Sequence, residues 1–243
     1  MTLLAVERIK LFTTRSPWWC MVLAVGLTVG FATLLSANAN DYAPATVASS
    51  QEGSQFGLIV MMVMAALAVT TEYRFGTIRA SFQAVPNRSA VLVAKATLVA
   101  LVAGVIGEVT AFASWAVVRL MHPDALTALH GSAAWREVAG SGLIYAFAAV
   151  IALSVGILIR QTAGAVAIML VWTLLAENLI GIIPKIGDKV AQWLPFNEAN
   201  YFLMGRHQFG DMPLSPWGAA AYFAGIALVL LGIAVFTANR RDA

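Results

Sequence analysis

The stretch VAGSGLIYAFAAVIALSVGILI, residues 138–159, contains no charged side chain. A helix rises about 1.5 Å per residue, so about 20 apolar residues cross a hydrocarbon core about 30 Å thick. Inside lipid the helix satisfies its own backbone hydrogen bonds, which is why an uninterrupted run of this length reads as a membrane span. Five more runs follow the same logic: residues 18–36, 56–71, 91–118, 163–183 and 218–238. The run over 56–71 is the shortest, but the amphipathic stretch after it can continue the same helix. The 243 residues are 60% hydrophobic and 11% charged, against about 25% charged in a soluble domain. Such a composition cannot cover a water-facing surface. The expected fold is an all-α integral membrane protein with six transmembrane helices in a single domain over residues 1–243. No second soluble domain, internal repeat or low-complexity tract interrupts it.

The formal net charge of +3 does not require a nucleic-acid partner, because a basic excess also marks the cytoplasmic side of a membrane protein. With both termini inside, Arg8, Lys10, Arg15, Arg74, Arg79, Arg88, Lys95, Arg160, Arg240 and Arg241 lie on that side, ten in all. Arg119, Arg136, Lys185, Lys189 and Arg206, five in all, lie outside. The bias places both termini in the cytoplasm of a multi-pass protein of the cytoplasmic (inner) membrane, and residues 37–55, which lack Lys and Arg, outside. Arg8, Lys10 and Arg15 followed by an apolar run and Ala37-Asn38-Ala39 also have the form of a cleavable signal peptide. The run is longer than the 7–15 residues of such a core, which favours a retained span. The lone cysteine, Cys20, excludes an intramolecular disulfide.

Positive charge is densest in TEYRFGTIRASFQAVPNRSAVLVAK, residues 71–95. As a helix over 72–85, this stretch sets Phe75, Ile78, Phe82 and Val85 in a narrow apolar stripe flanked by Arg74 and Arg79. Pro86-Asn87 breaks the helix, Arg88 sits at the turn, and Ser89 offers a cap for the next span. A helix of this kind either lies on lipid or fits a protein groove. Residues 1–16 suggest a second amphipathic helix on the inner leaflet. There Ala5, Val6, Ile9 and Phe12 form one face, and Glu7, Arg8, Lys10 and Arg15 lie largely opposite.

The arrangement Glu72, Gly76-Thr77, Arg79, Pro86, Arg88 and Lys95 between the second and third spans resembles the cytoplasmic loop of ABC-2 type permeases, the membrane subunits of ATP-binding cassette exporters. The resemblance extends to chain length, six spans, internal termini, the N-terminal helix and a long external connection before the last span. It implies a coupling helix that docks on a separate ATPase through Glu72, Arg74, Phe75, Ile78, Arg79, Phe82 and Arg88. It further implies two ATPase copies that bind ATP and Mg, and a second copy of this chain or a related permease. Mostly apolar span faces suggest a hydrophobic or amphiphilic cargo such as a drug, lipid or peptide.

No G-x-x-x-x-G-K-[ST] occurs, so the chain has no phosphate-cradling loop, and no nucleotide cofactor or enzyme activity of its own is expected. His122, His130 and His207 lack metal-ligand spacing. Glu108 in the third span, and Glu177 with Asn178 in the fifth, are candidates for a transport path. A carboxylate at a helix centre costs about 2.5–3.5 kcal/mol on insertion scales and needs a partner or a water-filled cavity. A bonded, purely structural carboxylate is the competing reading for each. Glu108 also leaves open an ion-coupled secondary transporter, and the 71–95 loop a non-transporting membrane anchor. Gly26 and Gly30 form a G-x-x-x-G that permits close helix approach, within one chain in preference to a dimer seam. Residues 184–217, with Trp193, Pro195, Phe196, Tyr201, Phe202, Phe209, Pro213 and Pro216, suit either a broken re-entrant helix or a surface loop.

Overall fold

Capping chemistry sets where the long helices begin. In the computed structural model, which describes residues 2–184, 186–205 and 213–241, the sixth span opens with Ser215 Oγ accepting from Gly218 N and Pro216 in the first turn. Proline suits that position because its missing N–H would have no helical partner there. The third span, Arg88–Met121, opens with the Asn87 side chain accepting from Ala90 N, so Asn87 rather than Ser89 is the cap. Lys185, Arg206, His207 and Phe209 of the connection before the last span lie outside the described residues.

Among the described residues, six helical segments are long and apolar enough to cross a membrane: Arg15–Ala37, Val47–Phe75, Arg88–Met121, Gly131–Ile159, Thr162–Gly181 and Pro216–Arg240. The described residues form no β-sheet, and the chain has the architecture of an all-α, multi-pass membrane protein. The third span holds 34 residues, about 50 Å of helix, and so projects well beyond a bilayer core. The second is broken near Gly53, after a short helix Val47–Gln51 whose capping box pairs Thr46 with Ser49. The fifth passes through a π-helical turn at Trp172–Ala176, directly before Glu177.

The core is built where the second, third, fourth and sixth spans meet. At its centre Tyr145 is 1% exposed and its hydroxyl donates to Ser54 O at 2.6 Å. Glycine makes the room: a Cβ on Gly57 would stand 2.5 Å from the Tyr145 hydroxyl, and one on Gly107 2.7 Å from the tyrosine ring. Gly26 and Gly30 do not act this way. Each faces out of the bundle, and an added Cβ there would meet nothing within 4 Å. The first span instead turns Met21, Ala24, Thr28, Ala32 and Ser36 inward, a different face of the same helix.

Both described chain ends and residues 76–87 gather at one end of the bundle. Asn239 Nδ2 donates to Ser89 Oγ at 2.8 Å, and Arg241 Nη1 to Leu158 O at 3.3 Å.

Candidate functional site: an ion network under the loop helix

Lys95 lies about two turns inside the third span, where a lone ammonium would be buried among apolar neighbours. It is 3% exposed. Its Nζ donates to Glu72 Oε1 at 2.7 Å and makes a second, shorter ion pair with Glu7 Oε2. Lys10 closes the set. Its Nζ lies 2.7 Å from Glu7 Oε1 and 3.7 Å from Glu72 Oε1, and donates to Ser81 Oγ at 2.8 Å. Two carboxylates and two ammonium groups sum to zero charge, the arrangement under which buried ions are tolerated. The four residues come from the N-terminal helix Leu3–Thr13, the end of the second span and the start of the third, and Ser81 adds the loop helix Thr77–Ala84.

This network turns the charged face of the N-terminal helix toward the bundle. Glu7 and Leu11 face inward, while Leu4, Val6 and Ile9 are exposed. Moderate amphipathicity did not select the inward face; the charge on Lys95 did.

The continuous helix expected over 72–85 is corrected. Gly76 takes φ 71°, a left-handed conformation that favours glycine, and ends the second span at Phe75 before a separate helix starts at Thr77. The break separates the stripe. Phe75 is 67% exposed, whereas Ile78 and Phe82 are 2% and 8% exposed and belong to the protein's own core. Arg74 stacks over the Phe75 ring at 4.5 Å. Arg88 sits 5.4 Å from the Phe82 ring and donates to Arg241 O at 3.4 Å. Of the residues expected at a docking surface, Arg74, Phe75 and Arg79 are therefore exposed. Ile78 and Phe82 root the helix in the bundle, Arg88 is half-buried beside the chain end, and Glu72 belongs to the ion network. Glu7, Lys10 and Ser81 escaped the sequence reading. Their signal was Lys95, a cation inside an apolar run that requires a carboxylate from elsewhere in the chain.

The three intramembrane candidates do not converge. Glu108 is half-buried, and its Oε1 accepts from Gly142 N at 3.2 Å. Glu177 is 2% exposed and accepts from Trp172 Nε1 at 2.9 Å, Phe196 N at 3.1 Å and Asn197 N at 2.9 Å. It thereby caps the helix Pro195–Met204, which has no side-chain cap of its own. Free N–H groups at a helix start welcome a carboxylate. Asn178 is half-buried and donates to Leu174 O at 3.0 Å on its own helix. No hydrogen bond among the described residues joins Glu108 to Glu177 or Asn178.

No family model matches this sequence, and no curated protein matches it either.

Proposed function

We propose that this chain is the membrane subunit of an ATP-driven exporter of the ABC-2 type, carrying a hydrophobic or amphiphilic substrate across the cytoplasmic membrane. One observation carries the reading. The helix Thr77–Ala84 is anchored inward by Ile78, Phe82 and the Lys10–Ser81 hydrogen bond, and leaves Arg74, Phe75 and Arg79 free at the surface. A force on that surface is transmitted at once to the N-terminal helix and to the second and third spans, because the ion network ties all of them together. A partner that alternates between two arrangements can thus bias two arrangements of the spans.

In this reading residues 77–84 form the coupling helix. Two ATPase subunits supply ATP and Mg from below, and a second permease copy or a relative completes the path. Both termini are cytoplasmic, and the N-terminal helix rests Leu4, Val6 and Ile9 in the inner leaflet. Co-expression with a candidate P-loop ATPase tests the proposal. Reconstituted vesicles should export a hydrophobic dye only with ATP, and vanadate should block it. Export driven by a proton gradient without ATP would instead favour ion coupling through Glu108. Absence of any transport, with the ATPase still bound, would favour a membrane anchor.

A further inference from the structure

Glu198 is the anomaly of the external connection. It lies in the first turn of Pro195–Met204, is 0% exposed, and neither carboxylate oxygen has a hydrogen-bond partner among the described residues. Tyr222 of the sixth span donates its hydroxyl to Trp193 O at 2.9 Å. Glu177 already occupies the amides of Phe196 and Asn197, so it adds negative charge beside Glu198 and takes up the part of the helix start that would otherwise favour an anion. The helix Gly131–Ala139, which packs against Pro195–Met204, contributes Arg136 and Glu137. The Arg136 guanidinium lies at Gly205, seven residues and about 10 Å along the helix from Glu198. Glu137 and Tyr201 have partners of their own. On the short helix Gly187–Ala191, Asp188 and Lys189 are exposed. Among the described residues no cation pairs with Glu198.

A buried carboxylate without a cation or donor is not held ionised; it binds a proton instead. We propose that Glu198 is a proton-binding site that holds the helix Pro195–Met204 docked on the sixth span. The proton is bound while the helix is packed through the Phe196–Phe223 and Phe202–Trp217 ring contacts. When the helix lifts, the carboxylic acid passes its proton to water and becomes a hydrated carboxylate. Lifting and proton release are one linked step.

Burial pushes the Glu198 carboxyl above its ordinary range, and the sign follows. The docked state binds the proton more tightly than the lifted state. Docking is therefore favoured at low pH, and is weakened as pH rises from the ordinary carboxylate value of about 4.3 through the raised value. The inference is independent of the ATPase reading, and its test needs no partner.

Amide hydrogen exchange of residues 197–203 is measured on the full chain in detergent from about pH 5 to about pH 8, corrected for the intrinsic chemical rate. Wild-type protection should fall as pH rises, by up to about tenfold per pH unit. Glu198→Gln and Glu198→Met, which carry no titrating proton, should keep the segment protected and flat across that range. Two variants of different polarity guard against one failing to fold. Wild-type protection that does not change with pH overturns the proposal, as does the wild-type slope persisting in either folded variant.

Discussion

Lys95 and Glu7 stand 88 residues apart in sequence and form an ion pair in which each side chain is only 4% exposed. Neither residue is accounted for by its local segment. Together they fix the N-terminal helix against the third span and set which of its faces looks inward.

Removing one member leaves uncompensated buried charge. Lys95→Met should destabilise the protein by about 3–5 kcal/mol, read from denaturant unfolding in detergent. Adding Glu7→Leu should recover part of the loss, because the remaining Lys10 and Glu72 form a neutral pair 3.7 Å apart. Additive losses in the double variant would mean that the two residues are not coupled.

The two phenylalanines of the loop should separate. Phe82→Ala empties a core position and should cost about 3–5 kcal/mol of stability. Phe75→Ala should leave folding intact and, if the exposed face docks on an ATPase, weaken co-purification by about 2 kcal/mol, or roughly thirtyfold. Equal stability losses in both would contradict the break at Gly76. Full ATPase binding and transport by Phe75→Ala would remove the docking surface.

Glycines in the bundle should sort by what surrounds them rather than by motif. Gly57→Ala places a methyl 2.4 Å from Thr28 Oγ1 and 2.5 Å from the Tyr145 hydroxyl, which costs about 1–3 kcal/mol from overpacking. Gly30→Ala meets nothing within 4 Å and should leave the thermal midpoint unchanged or raise it slightly. Gly76→Ala meets no atom either but should lose about 1–2 kcal/mol through its left-handed backbone.

Glu177→Gln replaces one acceptor oxygen with an amide that faces a backbone N–H. The helix Pro195–Met204 should loosen by about 1–3 kcal/mol, seen as faster proteolysis of that segment while the remaining helices keep their protection. An unchanged cleavage rate would show that its cap is dispensable.

Orientation is testable with single cysteines in a Cys20→Ser background. Tyr42 is fully exposed at one end of the bundle and Gln83 is exposed at the other. An impermeant thiol reagent should label Tyr42→Cys in intact cells and spare Gln83→Cys. The reverse pattern would invert the Lys/Arg reading.

Composition and apolar run length determined the six spans, because lipid imposes a length and a polarity on each span separately, whatever its neighbours. Local chemistry also placed the Pro86-Asn87 break, and the aromatic mixture of residues 184–217 admitted the broken segment that Glu177 caps. Only the tertiary structure decided the inward face of the N-terminal helix, the division of the Phe75–Phe82 stripe and the outward direction of Gly26 and Gly30. Each depends on a partner distant in the chain: Glu7 on Lys95, Phe82 on the bundle core, a glycine on whichever helix lies across from it. Apolar periodicity shows that a helix has a face, but where every neighbour, lipid included, is apolar, it is a buried charge or a close backbone approach that selects which face turns inward.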